Sequence, residues 1–427
     1  MSRTWRLGVA GLGVVGAELV RLLGERADYL PSGDRIEVVG VSARRRDAAR
    51  EAGARWFDDP VALAASPDID LFVELIGGAE GPARAAVEAA LSCGKPVVTA
   101  NKALIAVHGA RLAALAEANG AALLFEAAVM GGAPAVKLVR EAVVGCRTLR
   151  IAGILNGTCN FILSEMEASG RDFPVVLAEA QALGFAEADP TTDVGGFDAA
   201  HKIAILAALA FEAAPNLDAV EIAGIEAVEL IDIRLAGALG YRIKLIAEAG
   251  RDAAGEGASV RVGPALVPLA HPLAQAGGSL NALFVEGERT GRLFLQGAGA
   301  GAGPTAAAVA ADIADVAGAP RRPVFMRPAA SLQPLAPADR SRRRGQAYLR
   351  VMARDRPGVL AAITEALAEA EVSIDSLLQR PVEPHGLVPV VLTTQAAPDS
   401  AIAQAAAAIG ALEAVAEPPR VIRIARI

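Results

Sequence analysis

The stretch "RLGVAGLGVVGAELVRLL" runs an apolar segment into Gly11, Gly13 and Gly16 and then into a helical pattern. A G-x-G-x-x-G spacing between a strand and a helix allows few geometries. Gly11 permits a tight turn, Gly13 lets the backbone approach a pyrophosphate, and Gly16 lets the helix pack closely on the strand. The helix start, with Val14 and Val15, then offers free N–H groups and partial positive charge to phosphates. In a chain with 43 glycines this motif arises easily by chance, so its context decides. "IEVVGVSA", "IDLFVELIGG", "KPVVTANK" and "AALLFEAAV" follow, each read as a strand rich in Val, Ile and Leu without clean alternation. That is how parallel strands buried on both faces look, with the alanine-rich stretches between them as crossover helices. Residues 1–130 therefore predict a Rossmann-like, doubly wound α/β domain that binds a dinucleotide through Gly11, Gly13, Val14, Val15 and Gly16.

The second strand ends in Ser42, Ala43 and Arg44, where an acidic residue would bond the ribose hydroxyl of NAD. An arginine there can pair with a 2′-phosphate, so NADP(H) is expected over NAD(H). The alternative is that Arg44 to Arg46 form a solvated loop.

A chain of 427 residues exceeds one ordinary domain. Residues 131–297 group helical segments before strand-like runs and read as an α+β domain. "QGAGAGAGPTAAAVAADIADVAG" is a glycine-rich turn opening a helix, and 298–320 are expected to return to the first domain. Residues 321–346, rich in Pro, Arg and Ser, read as a linker, with Arg342–Arg344 a solvated run. Residues 347–427 follow a β-α-β-β-α-β order, the ferredoxin-like pattern.

Composition removes several function classes. Mean hydropathy is +0.39, but much of it is alanine. No run of about 18 apolar residues predicts a membrane-spanning helix. The start shows no signal-peptide pattern, so a cytoplasmic location is expected. A net charge of −7 argues against nucleic acid or anionic lipid as partners. Cys93, Cys146 and Cys159 read as reduced, buried residues, and no Cys/His spacing suits zinc.

Charge gathers in "GFAEADPTTDVGGFDAAHKIAIL", which holds Glu187, Asp189, Asp193, Asp198, His201 and Lys202. Asp198 and Lys202 are four apart and share one helix face. On a surface such a pair is worth only about 0.3–0.5 kcal/mol. This helix continues "IAILAALAF", which reads as buried. "VVTANKAL" ends another strand in Asn101 and Lys102, at the edge where ligands of this fold sit.

Together "GLGVVG", "VTANKAL", "FEAAVMGGAP", "GILNGTCNFIL", "LGFAEADPTTDVGGFDAAHKIAIL" and "GAGAGAGPTA" resemble the homoserine dehydrogenase family in order and spacing. The tail resembles the ACT regulatory domain that many members carry, and no aspartokinase segment precedes the glycine loop, as in monofunctional forms. The resemblance implies reversible reduction of L-aspartate 4-semialdehyde to L-homoserine, on the route to threonine, isoleucine and methionine. It implies that the middle domain is catalytic and dimerising, in a homodimer or homotetramer. It makes Lys202 the acid/base, Lys102 a second cation beside carbonyl and nicotinamide, and Asp198 the residue orienting both Lys202 and substrate. Glu187 and Asp193 resemble the positions that hold the substrate ammonium, and Gly157 and Thr158 those near its carboxylate. Glu126, Val129, Gly131 and Ala133 resemble a monovalent-cation loop for Na⁺ or K⁺. Gly301 would close over the cofactor, and Gly358 would face an amino-acid effector such as L-threonine. His201 takes no role from the family. Phe185 stands where many relatives have Tyr, which leaves one substrate contact open. Two other readings compete: a different oxidoreductase, such as an aspartate-semialdehyde dehydrogenase with Cys159 as nucleophile or an amino-acid dehydrogenase, and a non-catalytic sensor of NADP and amino acids. Lys102, Lys202 and Glu187 argue against the sensor.

Overall fold

Six parallel strands make the first sheet: β1 (Thr4–Ala10), β2 (Arg35–Ser42), β3 (Arg55–Trp56), β4 (Leu71–Glu74), β5 (Val97–Thr99) and β6 (Leu123–Leu124). Their spatial order in the computed structural model is β3-β2-β1-β4-β5-β6, so the winding reverses beside β1 and leaves a crevice at the strands' carboxyl ends. Residues 3–26, 30, 33–44, 46, 53–251, 257–318, 322–339, 343–379 and 387–427 are described. Arg45 and Arg342, both included in the expected solvated runs, lie outside them.

Leu7, Val9, Leu71, Val73, Val97 and Val98 are fully buried, as strands covered on both faces require. The run "AALLFEAAV" departs from expectation. Only Leu123–Leu124 is strand, and Ala127–Met130 coils into a helical turn. A short apolar run has no periodicity to separate buried strand from buried helix. The helix Ala302–Gly318 places Ala306, Val309 and Ile313 in one buried cluster with Leu19 and Leu23 of the helix Val14–Glu25.

The second sheet has ten strands. Its middle part comprises β7 (Thr148–Ile154), β8 (Val220–Ile222), β9 (Tyr241–Arg251), β10 (Ala258–Pro268), β11 (Leu280–Gly287) and β12 (Gly291–Ala298). The tail adds β14 (Ala347–Arg354), β15 (Ile374–Gln379), β16 (Leu387–Thr394) and β18 (Arg420–Ile424), while β13 (Arg344–Gly345) and β17 (Ala397–Pro398) pair apart. With helices Val359–Glu369 and Asp399–Gly410, the tail keeps its ferredoxin-like order. It does not hang on a free tether. β18 pairs in parallel with β10 at Ala265↔Arg423 and Leu266↔Ile424, so the two units share one continuous sheet. The basic run is also engaged, not solvated, at its middle residue: Arg343 sits 2.8 Å from Glu221 and 2.5 Å from Asp399.

The expectation of three buried cysteines needs correcting. Cys159 is buried, Cys146 is half-buried and Cys93 is exposed. Among the described residues no helix is long and apolar enough to cross a membrane, and no cluster of His, Cys, Asp and Glu suits a metal.

The helix Phe197–Phe211 is apolar nearly all round and packs against both the helix Lys102–Ala118 and the strands β7, β9 and β10. It therefore lies where the dinucleotide-type sheet meets the middle unit, and side chains from both converge on its first turn.

Candidate active site

Lys102 opens its helix directly after β5. Asn101 caps that helix, its side-chain oxygen accepting from the Leu104 N–H at 3.0 Å. A cation at a helix N-terminus opposes the helix dipole and needs compensation. Asp198 supplies it, with Oδ1 2.7 Å from Lys102 Nζ. The other carboxylate oxygen, Oδ2, lies 2.8 Å from Lys202 Nζ. Lys202 also donates to the Leu155 carbonyl at 2.7 Å. Asp198 and Lys202 are buried, whereas Lys102 keeps partial access to solvent.

The two lysines are tuned in opposite directions. Burial, reinforced by the neighbouring Lys102, holds Lys202 below the ordinary lysine range, although Asp198 pulls the other way. Burial also works against Lys102, but Asp198, Asp193 and Glu187 outweigh it and raise its pKa. Burial disfavours the Asp198 carboxylate, yet the two ammoniums overcome it and hold the group far below the usual range. Of the three groups, Lys202 is the one disposed to exchange a proton, while Lys102 stays charged.

Asn156 organises the other wall. It caps the helix Gly157–Ser169 through a 2.8 Å bond from the Cys159 N–H. Its amide donates to Asp193 at 2.7 Å and to Asp198 at 2.9 Å. Burial raises the Asp193 carboxyl against the pull of that amide. Gly157 fits because any Cβ would stand 2.7 Å from the Ser279 carbonyl oxygen. Thr158 donates its hydroxyl to the Phe185 carbonyl at 2.7 Å. The exposed Phe185 ring stacks on Phe161 at 4.6 Å between centroids. Glu187 is exposed and acts on Lys102 only through charge. Asp189 closes a turn onto Thr191 through its N–H at 3.1 Å and its hydroxyl at 2.6 Å.

Two residues of this site escaped the sequence reading. One is Asn156, whose only local signal was an Asn before a helix start. The other is Glu74, a lone carboxylate closing an apolar strand. It accepts N–H groups from Ile76 at 2.7 Å and Gly77 at 2.9 Å, and it meets Thr99. Thr99 in turn accepts from the Asn101 N–H at 2.9 Å, and the Asn101 amide donates to the Gly78 carbonyl at 2.7 Å. This chain of bonds sets the Lys102 helix against the loop after β4.

The glycine loop has the shape a dinucleotide needs. Gly11 has φ of +100°, and a Cβ there would meet the Leu75 carbonyl oxygen at 2.4 Å. A Cβ on Gly16 would lie 2.0 Å from the Gly11 carbonyl oxygen, while the space before Gly13 is open. No side chain caps the helix Val14–Glu25, and Val14 is 76% exposed. Arg44 is exposed two residues past β2, whereas Arg46 is paired with Asp58 at 2.7 Å.

Near the Gly131 turn, the buried Glu126 carboxylate accepts N–H groups from Val136 at 2.9 Å and Lys137 at 2.8 Å. Val129, Gly131 and Ala133 make the turn itself, which abuts the glycine-rich loop through a 3.2 Å bond from the Gly132 N–H to the Ala298 carbonyl. Gly301 has φ of +115° at the head of that loop's helix. In the tail, Gly358 has φ of +91° and opens the helix Val359–Glu369.

Cys159 is no nucleophile here. It is fully buried, its thiol faces the Asp193 carbonyl at 3.2 Å, and burial with nearby carboxylates pushes its pKa well up. His201 is held below the ordinary histidine range by burial, and its Nδ1 meets no partner among the described residues.

Comparisons with known proteins agree with this geometry. The family profile described as "Homoserine dehydrogenase" matches residues 134–314, "Homoserine dehydrogenase, NAD binding domain" matches 11–126, and "ACT domain" matches 347–411. A homoserine dehydrogenase of Pseudomonas aeruginosa is 43% identical, over 99% of this chain and 99% of its own. The crystal structure of a homoserine dehydrogenase from Thiobacillus denitrificans superposes with a TM-score of 0.92 at 40% identity, covering 99% of each chain. A hyperthermophilic archaeal homoserine dehydrogenase solved with NADPH superposes with a TM-score of 0.64 at 26% identity, over 74% of this chain and 98% of that one. The chain belongs to the homoserine dehydrogenase family, oxidoreductases that act on a CH–OH group and here carry an NAD-binding Rossmann-like domain and a C-terminal ACT domain.

Proposed function

We propose that the chain interconverts L-aspartate 4-semialdehyde and L-homoserine in the biosynthesis of threonine, isoleucine and methionine, with NADP(H) preferred over NAD(H). The observation that carries this reading is the bridge Lys102–Asp198–Lys202, buried at one end and open at the other. Hydride for the aldehyde carbon would come from a nicotinamide dinucleotide held by the glycine loop. The aldehyde oxygen then needs a proton and a nearby positive charge. Lys202 donates that proton and, in the reverse direction, takes it from the hydroxyl. Lys102 keeps its charge throughout and polarises the oxygen. Asp198 holds both ammoniums in place. Glu187 and Asp193 bind the substrate ammonium, and Gly157 with Thr158 receive its carboxylate.

Gly11, Gly13, Val14, Val15 and Gly16 would hold the pyrophosphate, Gly301 would close over the cofactor, and Arg44 would meet the 2′-phosphate. The archaeal relative's NADPH complex supports this choice. A Na⁺ or K⁺ at this turn would be held by the Glu126 carboxylate, which accepts two N–H groups and keeps further lone pairs, and by the carbonyls of Val129, Gly131 and Ala133, hard donors suited to such ions. Gly358 binds an amino-acid effector, for which L-threonine is the first to titrate. The protein works in the cytoplasm as a homodimer or homotetramer.

The test is oxidation of NADPH with L-aspartate 4-semialdehyde, with NADH as the control. No turnover with either cofactor removes the reading, and equal turnover removes only the cofactor preference.

A further inference from the structure

Away from Lys202, the seam between the middle unit and the tail forms a solvent-open cavity of about 930 Å³. One wall comes from β7, β9 and β10 and the other from β13, β18, the chain end and Ala396 and Asp399 on either side of β17. Its lining includes Arg150, Arg261, Arg343, Arg344, Arg423 and Arg426. None of the lysines and carboxylates of the active site reaches it.

The acids of the described lining are Glu248, Asp339 and Asp399, with Glu221 just beyond it, and all are engaged. Glu248 lies 3.4 Å from Arg261, and Glu221 lies 2.8 Å from Arg343. Asp399 is shared between Arg343 at 2.5 Å and Arg423 at 2.6 Å. Arg150 and Arg344 instead donate to neutral main-chain carbonyls, those of Arg426 at 2.5 Å and Ala396 at 2.9 Å. The described lining thus holds more guanidinium charge than carboxylate. Burial and the adjacent Arg426 push Arg150 down from the usual arginine range. Burial pushes Arg423 down as well, with Arg261 and Arg343 adding to it against Asp399.

We propose that this cavity is a binding site for a compact polyanion, a small molecule bearing phosphate or several carboxylate groups. Planar guanidinium forks bind both groups in bidentate fashion. The volume falls within the range of roughly 300–1,000 Å³ typical of small-molecule sites. An anion here would neutralise crowded cations from both walls at once. Its binding therefore clamps the tail onto the middle sheet and stabilises the folded chain by linkage.

The test is calorimetric titration of the full chain with pyrophosphate and, separately, with citrate. One equivalent of NADPH is present, so that the dinucleotide loop is filled. At least one titrant is expected to bind at a single site with a Kd below about 1 mM. The double variant Arg344→Ser/Arg426→Ser alters two exposed positions and should weaken that binding about tenfold or more, the scale of a lost charged hydrogen bond. Its turnover should be unchanged. Tighter pyrophosphate assigns the ligand to phosphate compounds, and tighter citrate to polycarboxylates. Binding by neither overturns the proposal. So does binding that persists unweakened in both the double variant and Arg423→Gln, since the anion then sits elsewhere.

Discussion

Lys102 and Lys202 divide a single carboxylate between them: Asp198 sets Oδ1 2.7 Å from the first ammonium and Oδ2 2.8 Å from the second. The arrangement separates two jobs that one lysine does poorly. The buried Lys202 is held below the ordinary range and Lys102 above it, so one can shuttle a proton while the other remains a fixed charge. In the proposed acid/base role of Lys202, homoserine oxidation needs it neutral. Its rate should therefore rise with pH, with a midpoint below the ordinary value of about 10.4. Aldehyde reduction needs Lys202 protonated and should fall over the same interval. Parallel pH profiles of kcat in the two directions check this, and the same slope in both would exclude Lys202 as the titrating group.

Replacing each lysine should give a different signature. Lys202→Ala should lower kcat by about two orders of magnitude or more, the usual scale for a lost acid/base. The fold should survive, because Asp198 keeps Lys102 and Asn156 as partners. Lys102→Ala should lower kcat as well, but it also removes a cation that pushes the Lys202 pKa down. The alkaline limb of homoserine oxidation should then move to higher pH. Circular dichroism with stopped-flow kinetics across pH 7–11 separates the two outcomes, and an unmoved limb in Lys102→Ala would break the link between the lysines.

The glycine loop makes a steric prediction. A methyl group on Gly16 would meet the Gly11 carbonyl oxygen at 2.0 Å, so the helix must shift away from β1. Overpacking of this kind costs about 1–3 kcal/mol. Gly16→Ala should raise KM for the dinucleotide about tenfold or more while the KM for L-homoserine changes little. An unchanged cofactor KM would show that the loop does not carry the pyrophosphate.

Parts of this site were legible in the sequence because they are local. Asp198 and Lys202 share a helix face by period alone, and the glycine spacing sits inside one strand–helix unit. What could not be read depends on distant packing. Lys102 reaches Asp198 from the helix that follows β5, across a helix interface that no local pattern encodes. The Asn156 cap was locally visible, but its amide meets carboxylates 37 and 42 residues away. The tail's element order followed from its runs of apolar residues. Its fusion to the middle sheet did not, because β18 and β10 are joined by a register of few residues far apart in the chain. The cysteines show the converse limit: residue type predicts burial on average, and Cys93 at a helix end is an exposed exception.

Arg44 carries the cofactor preference if its exposed guanidinium meets the 2′-phosphate. Hydrogen bonds to charged groups are worth roughly 1.5–3 kcal/mol, which corresponds to about ten- to a hundredfold in affinity. Arg44→Ala should therefore lower kcat/KM for NADPH by about that factor and leave NADH nearly unaffected. The ratio of the two specificity constants is the measurement, and an equal loss with both cofactors would move the preference to another residue.

The junction between the tail and the middle unit should fail at one buried charge. Asp232, from the helix Leu230–Ala238, is fully buried and receives Arg350 Nε at 2.8 Å and the Tyr348 hydroxyl at 3.0 Å, both from β14. Arg350 is itself buried and also faces Glu229 at 2.9 Å. Removing one member of a buried pair leaves the other charge uncompensated, at a cost of about 3–5 kcal/mol. Arg350→Ala should therefore lower stability by about that amount. Tyr348→Phe removes a single hydrogen bond and should cost about 1 kcal/mol. Urea denaturation monitored by tyrosine fluorescence and circular dichroism compares the two. If Arg350→Ala cost no more than Tyr348→Phe, Asp232 would have to find another cation, and the tail would be held by the β10–β18 pairing and not by this ion pair.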